Sequence, residues 1–187
     1  MKKKIPFFAI LFFIKLSLTA QEKLMFSSQN FAGLLEGNGG SALQLQTING
    51  VMNNKWFAGV GTGLDYYRYR SIPVFISLNR IITNKKPLFL SLDGGINYAW
   101  VDRERSRTND FISSRFSPAL YWASGLGYKI YSKNKKDAAV FSVGYSYKHL
   151  KEKQEKFVFC TNPPCAPAIE YYDYRLKRIS VRLGWQF

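Results

Sequence analysis

The chain has 187 residues, 47% of them hydrophobic and 17% aromatic, and a formal net charge of +15. This length suits one domain, and such a basic chain can be a nucleic-acid-binding protein. An export signal at the start of the chain disfavours that class, because an exported chain does not normally meet nucleic acid. Anionic headgroups and lipopolysaccharide phosphates are its nearer acidic partners.

The first twenty residues have the three-part form of a secretory signal peptide. Three lysines precede the apolar run Ile5–Ile14, and Leu18-Thr19-Ala20 offers a cleavage site. We predict a signal at residues 1–20 and a single mature domain at 21–187, with a net charge of +11 after cleavage, since four of the 27 cations lie in the signal. An uncleaved anchor is disfavoured, because ten apolar residues are too few for a span of about 20.

The mature chain divides into segments of alternating polarity, and no helical period competes with them. In the cleanest segment Leu88, Leu90 and Leu92 alternate with Ser91 and Asp93. We predict eight strands: one within Gln29–Glu36, then Ala42–Val51, Trp56–Tyr66, Ile72–Arg80, Pro87–Val101, Ser117–Tyr131, Ala138–His149 and Tyr174–Phe187.

The connections between these segments are of two kinds. Residues 52–55, 83–86 and 132–137 form short polar turns, whereas residues 102–115 and 150–173 are predicted as long loops. With both termini in the periplasm, every short turn falls on the periplasmic side, as in transmembrane barrels.

The last strand places Ile179, Val181, Leu183, Trp185 and Phe187 on one face and ends the chain on an aromatic residue. It resembles the closing strand of a Gram-negative outer-membrane β-barrel. The resemblance implies that Trp185 and Phe187 belong to the signal that the barrel-insertion machinery recognises. It predicts an all-β fold: an eight-stranded antiparallel transmembrane β-barrel of OmpA/OmpX-like architecture in the bacterial outer membrane, closed by pairing of its last and first strands.

A soluble lipocalin-type barrel would turn its apolar face inward. Here the apolar set is bulkier and more continuous, and the other set suits a lumen, so the membrane barrel is favoured. Gly59, Gly61 and Gly63 superficially resemble a phosphate-binding loop, but the P-loop Lys-Ser/Thr is missing. These glycines instead fit the inner face of a narrow barrel.

Several charged residues are predicted on the lumen face. An eight-stranded barrel is just wide enough to be filled by side chains, and buried charges must pair. A plug of ion pairs that stiffens the barrel is the main interpretation, and a gated ion path through the plug is the alternative. The predicted charge network is Asp65, Asp93, Lys129, Lys148, Arg178 and Arg182, with Glu36 as a further candidate.

His149 is the only histidine, and strand parity puts it on the outer face at the extracellular rim with Tyr145 and Tyr147. Some outer-membrane lipid enzymes use a rim histidine beside a serine. Lys151 stands two positions after His149, and Ser146 has the opposite parity. A histidine in the headgroup zone is therefore favoured over an enzyme, and no catalytic residue is predicted. The chain also lacks the ligands for a metal site, and no cofactor is expected.

Two features of the external loops are hypotheses for recognition. In an exported protein Cys160 and Cys165 are expected to form a local disulfide, with two free thiols as the alternative. The basic residues Arg103, Arg105, Arg107, Lys151 and Lys153 are candidates for binding lipopolysaccharide phosphate, with ordinary solvated charge as the alternative. The sequence thus favours a non-enzymatic structural or surface-interaction protein, contacting lipopolysaccharide or an extracellular partner, over a small gated pore or a rim enzyme.

Overall fold

The structure, a computed structural model, describes residues 24–53, 55–83, 87–100, 112–133, 137–156 and 166–187. These residues form nine strands: β1 (Met25–Gly37), β2 (Gly40–Met52), β3 (Trp56–Asp65), β4 (Ser71–Ile81), β5 (Leu88–Ala99), β6 (Ile112–Ser117), β7 (Ala119–Tyr131), β8 (Ala138–Lys156) and β9 (Ala168–Gln186). Among them there is no helix that is long and apolar enough to cross a membrane. The predicted signal peptide lies outside the described residues.

Eight of the strands close into an antiparallel barrel. Consecutive barrel strands pair in order from β1 to β5, then through β7 and β8 to β9. Strand β9 also pairs with β1, from Gln29↔Gln186 to Gly37↔Arg178, and the backbone of Phe187 exchanges two hydrogen bonds with Ser28. The predicted eight-stranded barrel, closed by its last and first strands, is confirmed.

The register fixes the tilt of the strands. The stagger can be followed by stepping from each residue to its directly paired neighbour around the barrel. Starting at Met25 on β1, the path runs through Met52, Phe57, Asn79, Ser91, Gly125, Gly144 and Ser180. It returns to β1 at Leu35, ten residues from its starting point. A stagger of this size goes with strands tilted by roughly 40° and with an interior that side chains can fill.

Strand β6 continues β7 across Pro118. Ser117 pairs with Lys151 and Tyr121 with Lys148, so three residues of the β6–β7 strand stand opposite two of β8. One extra residue of this kind is a β-bulge, which suits a proline because the ladder is already interrupted there. The prediction of a loop over 102–115 is therefore wrong from Ile112 onward; residues 101–111 are not described.

The prediction of a loop over 150–173 is also wrong at both ends, because residues 150–156 and 168–173 are strand; residues 157–165 are not described. Strand β8 runs on to Lys156, β9 begins at Ala168, and the two pair from Leu150↔Tyr174 to Lys156↔Ala168. The sequence from 150 to 156 is charged on both faces, which is typical of a loop. Cross-strand contacts such as Lys156 to Glu170, with Nζ and Oε2 2.6 Å apart, accompany the strand pairing outside the apolar belt.

The two faces of the barrel have opposite chemistry. Large apolar side chains are exposed around its exterior, including Leu34, Val60, Ile76 and Leu183. Aromatic residues lie near both ends of this belt: Trp56, Tyr128, Trp185 and Phe187 at the end with the short turns, and Tyr66, Tyr98, Trp100, Trp122, Tyr145 and Tyr147 at the end with the long connections. An apolar band between two aromatic girdles is the exterior of a membrane-spanning barrel.

We call these ends of the barrel the turn end and the loop end. Most of the buried polar side chains lie on the inner face, among them Gln29, Asp93 and Arg182. Glu36, a candidate for the lumen, is instead exposed and accepts a hydrogen bond from the Ser41 hydroxyl. On β1 the buried residues Phe31 and Leu35 define the inner face, and Glu36 has the opposite parity.

Candidate functional site

A buried ion-pair cluster fills the lumen near the loop end. Asp65, at the end of β3, forms one ion pair with Lys148, whose Nζ is 3.1 Å from Asp65 Oδ1, and another with Arg178. All three side chains are fully buried, and Arg178 also donates to Ser146 Oγ at 2.7 Å. Two cations thus share one carboxylate inside the barrel, and hydroxyl and carbonyl oxygens accept further hydrogen bonds from them, whereas Arg178 Nε has no partner among the described residues.

A second ion-pair layer lies nearer the middle of the barrel. Arg182 Nη1 is 3.1 Å from Asp93 Oδ2 and 3.1 Å from the amide oxygen of Gln46. The hydroxyl of Ser77 donates to the other Asp93 oxygen at 2.6 Å, and Gln46 in turn donates to the Tyr121 hydroxyl at 3.0 Å. The layer therefore connects side chains from strands that lie on opposite sides of the lumen.

Lys129 does not join these two layers. It is buried near the turn end, where its Nζ lies 5.1 Å from the centre of the Phe89 ring. The neutral side chains of Gln29, Asn79 and Gln186 are linked by hydrogen bonds in the same end of the barrel. Of the six charges predicted for the lumen, the structure brings together Asp65 with Lys148 and Arg178, and Asp93 with Arg182.

Aromatic rings fill the space between the polar layers. Phe31, Phe57, Phe75, Phe89 and Tyr121 are buried in one cluster. Two inner-face glycines leave room for these rings: a Cβ on Gly61 would lie 2.5 Å from the Phe75 ring, and a Cβ on Gly127 would lie 2.3 Å from the Phe89 ring. The interpretation of Gly61 as a space-making residue is thus supported by its surroundings.

The β3–β4 connection, residues 66–70, covers the loop-end mouth of the lumen, and we call it the lid. Lys148 Nζ donates to the carbonyl oxygens of Tyr67 and Tyr69 at 2.9 and 3.0 Å. The Tyr67 side chain is buried, and its hydroxyl accepts a hydrogen bond from the Gly39 backbone at 2.6 Å. Arg68 between them has a positive φ of 60°, an uncommon conformation outside glycine. The same lysine therefore anchors both the ion-pair cluster and the lid.

The filled lumen and the lid lead us to expect no steady conductance. Arg178 and Arg182 reach across the interior to Asp65 and Asp93, and the aromatic cluster fills space beside these ion pairs and toward the turn end. The purified barrel in planar bilayers should show no long-lived open state at moderate voltage. A uniform conductance step in most recordings, absent from a matched sample of heat-unfolded protein, would contradict this expectation.

Beyond the lid, a three-stranded sheet extends past the rest of the barrel. We call it the raised sheet: β6 together with residues 149–156 of β8 and 168–177 of β9, which among the described residues pair only with one another. Its outer face continues the exterior of the barrel, because His149↔Arg175 and Lys151↔Asp173 share the parity of the exposed pair Tyr145↔Ile179. Its described outer-face charges are five cations, Arg115, Lys151, Lys153, Arg175 and Lys177, and two acids, Glu155 and Asp173.

The inner face of the raised sheet packs on the lid. Tyr69 contacts both Phe116 and Tyr174, with ring centroids 5.1 and 5.6 Å apart, and the Arg68 guanidinium lies 4.7 Å from the Tyr174 ring centre. Desolvation, followed by hydrogen bonds with Tyr69 and Glu152, raises the pKa of Tyr174. Tyr174 is therefore a neutral donor at physiological pH, and its hydroxyl donates to Glu152 at 2.9 Å.

An ion pair between Lys156 and Glu170 lies at the end of the raised sheet that is farthest from the barrel. The hydrogen bond with Lys156 is the main cause that lowers the pKa of Glu170, and the same bond raises the pKa of Lys156. Because the pKa of Glu170 is depressed in the folded state, the ion pair contributes to the free energy of unfolding at pH values above the ordinary glutamate range. This contribution is lost as the pH falls through the folded pKa. The pair is solvent-exposed, so its contribution is small.

His149 lies on the outer face of the raised sheet. Its Nε2 is 2.7 Å from Asp173 Oδ1, and the same carboxylate oxygen is 3.6 Å from Nε of Arg175. Ser146 lies in the lumen, where it accepts its hydrogen bond from Arg178. The structure thus gives His149 a carboxylate partner and places Ser146 on the other side of the barrel wall.

Some of the remaining predicted site residues are described by the structure, and others are not. Arg103, Arg105 and Arg107, and the expected disulfide of Cys160 and Cys165, lie outside the described residues. Lys151 is exposed, whereas Lys153 Nζ pairs with Glu155 Oε1 at 2.8 Å. Trp185 and Phe187 lie on the exterior at the turn end, and their role in insertion stays a prediction.

Two features of the site were not found from the sequence. One is the lid, whose signal was the run of three tyrosines and two arginines over 66–70, too rich in aromatic residues for a plain surface loop. The other is the cationic outer face of the raised sheet, which depends on Arg115, Lys151 and Lys153 being in strands rather than loops.

The closed barrel, the apolar exterior and the packed polar interior define the class of the protein: an integral β-barrel protein of the bacterial outer membrane. No protein-family model matches the chain, and no curated protein does. Among solved structures, the chain is similar to the outer membrane protein AlkL in lipid bilayers, with 10% identity over 89% of this chain and 90% of that one, and a TM-score of 0.52. It is also similar to the outer membrane protein OprG from Pseudomonas aeruginosa, with 14% identity over 89% and 96% of the two chains and a TM-score of 0.47. At 10% identity the likeness to AlkL shows the fold alone.

Proposed function

We propose that the protein is a non-enzymatic surface-interaction protein whose raised sheet binds the phosphates of lipopolysaccharide. The observation that carries this proposal is the charge of the raised sheet's outer face, five cations against two acids. Because this face continues the apolar exterior without a break, its side chains lie beside the headgroups of the surrounding outer leaflet.

The positions of the individual cations support this proposal. Lys177 lies two residues from Ile179 in the apolar belt, and Arg175 is two residues further out, with a side chain that is 72% exposed. Lys151 is exposed on the neighbouring strand, opposite Asp173. Cations at this level attract an anionic membrane surface by about 1 kcal/mol each. Arginine adds bidentate hydrogen bonding to phosphate.

The closed interior favours a function performed on the exterior. Asp65, Asp93 and their partners block the lumen, and the lid covers its mouth. A barrel stiffened in this way holds the raised sheet in a fixed orientation to the membrane.

Neutralising the cationic face tests the proposal. The variant Lys151→Gln, Arg175→Gln, Lys177→Gln should lose about 3 kcal/mol of binding, which is on the order of 100-fold in affinity. The measurement is binding of lipopolysaccharide to the barrel in phosphatidylcholine nanodiscs, repeated with dephosphorylated lipopolysaccharide, for which the variant and the parent should differ little.

A matched control removes three cations from the turn end: Lys55→Gln, Arg80→Gln, Lys133→Gln. This variant has the same net charge as the first and should bind lipopolysaccharide as the parent does. Equal losses in both variants would show that only net charge matters, and equal affinity of the parent for the two lipopolysaccharide forms would contradict phosphate recognition.

A further inference from the structure

The wall of the barrel is interrupted between β3 and β4. The two strands pair from Trp56↔Arg80 to Thr62↔Val74, and pairing resumes only at Asp65↔Ser71. Gly63 and Leu64 therefore have no ladder partner on β4, although both remain paired with β2. The opposing segment contains Pro73, which has no N–H to donate.

A cavity of about 400 Å³ lies at this interruption. Its lining residues come from both sides of the wall. Leu45, Thr47, Thr62, Leu64 and Ile72 have the parity of the exterior, and Phe31, Gln46 and Gly63 have the parity of the lumen. Because the lining residues come from both faces, the cavity extends from the exterior through the plane of the wall to Phe31. We call this cavity the wall groove.

The position of the wall groove determines what can enter it. It lies close to the loop end of β3, because Gly63 is two residues from the last residue of that strand. The exterior around it is apolar and exposed, at Leu43, Val60 and Val74. The neighbouring solvent is therefore membrane hydrocarbon, and the groove's volume is within the range of ligand pockets, about 300–1,000 Å³.

The inner end of the wall groove is closed. Gln46, at this end, is held by Arg182 and by the Tyr121 hydroxyl, and Arg182 is itself paired with Asp93. The groove is a blind recess in the wall, with hydrocarbon on one side and a fixed polar layer on the other. A long apolar chain can enter with its end against Phe31, but the ion-pair layer blocks its way across the lumen.

We propose that the wall groove is a binding site for one esterified acyl chain of a membrane lipid in the leaflet at the loop end. The chain enters between Thr47 and Ile72 and packs against Leu45, Leu64 and the Phe31 ring. It fills the space left by the missing β3–β4 pairing, where an empty recess would forfeit packing contacts. This site is independent of the phosphate-binding face, which lies on β6, β8 and β9.

Photo-crosslinking in bilayers tests this site. The full-length mature protein is reconstituted into vesicles of phosphatidylethanolamine that includes a fraction with a diazirine in one acyl chain. After irradiation, labelled residues are mapped by mass spectrometry. Labelling at Leu45, Leu64 and Ile72 should exceed labelling at the lipid-exposed residues Ile76 and Leu78 several-fold.

Filling the wall groove provides the matched comparison. Thr47→Trp should reduce labelling of the groove residues to that of Ile76 and Leu78. Asn49→Trp places the same side chain on the same face of the same strand, two residues away and outside the groove, and should leave the labelling unchanged. Heat modifiability on gels checks that each variant is folded, and Thr62→Trp is the replacement if Thr47→Trp does not insert.

Three outcomes would overturn the proposal. The first is equal labelling of the groove and the exposed belt in the unmodified protein, a result that needs no variant. The second is retained groove labelling in a folded filled variant. The third comes from a parallel experiment with a diazirine fatty acid: groove labelling by the free acid but not by the phospholipid would assign the site to unesterified chains.

Discussion

Replacing Asp65 with asparagine is expected to destabilise the barrel by about 3–5 kcal/mol, because it leaves Lys148 and Arg178 buried without their shared counter-charge. Asparagine has nearly the shape of aspartate and can still accept the hydrogen bond from the Tyr67 backbone, which is 2.8 Å long. The loss therefore reports the charge rather than the turn. Urea-induced unfolding of the protein in lipid vesicles, followed by tryptophan fluorescence, measures it.

Two variants make the Asp65 experiment specific. Asp65→Asn combined with Lys148→Met removes one of the two orphaned cations and should recover part of the lost stability. Glu36→Gln neutralises an exposed acid near the same end of the barrel and should change stability by about 0.5 kcal/mol or less. If Asp65→Asn cost no more than Glu36→Gln, the central role of this carboxylate in the lumen would be wrong.

Replacing Phe75 with alanine is expected to cost about 3–5 kcal/mol, because the packed interior cannot collapse into the space of a lost ring. Phe75 is 2% exposed, and its ring centre lies 5.4 Å from that of Tyr121. Its edge covers Gly61, where no side chain exists to fill the cavity. The same unfolding measurement applies.

The next residue on β4 is the matched control for Phe75. Ile76 faces the lipid and is 63% exposed, so its replacement by alanine exchanges one lipid contact for a smaller one and should cost about 1 kcal/mol or less. Similar costs at both positions would contradict the assignment of inner and outer faces on this strand.

The packed interior stabilises the barrel, and the proposed binding face lies on the exterior of the raised sheet. Lys148 connects the two roles, because it pairs with Asp65 in the lumen and holds the lid carbonyls on which the raised sheet packs. A change in the ion-pair cluster should therefore alter the orientation of the raised sheet as well as the stability of the fold.

The sequence by itself determined the strands and their faces within the membrane. Polar and apolar residues alternate clearly wherever one face of a strand contacts membrane hydrocarbon, as in β5. A polar or charged residue on that face costs several kcal/mol. The same rule identified the inward charges from Asp65 to Arg182. The rule failed for Glu36, because β1 carries small and apolar residues on both faces. Its alternation therefore did not show which set of residues faces the lumen.

Only the tertiary structure decided where β6, β8 and β9 end. Outside the membrane both faces of a strand meet water or other protein, so Lys151 to Lys156 show no alternation, and their strand pairs a segment more than ten residues away along the chain. Which charges meet was also a tertiary result: Asp65 and Arg178 are 113 residues apart, and the stagger around the ring places them together. Lys129 has the same inward parity as Lys148, yet it lies at the other end of the barrel, because parity determines the face of a residue and only the register determines its height.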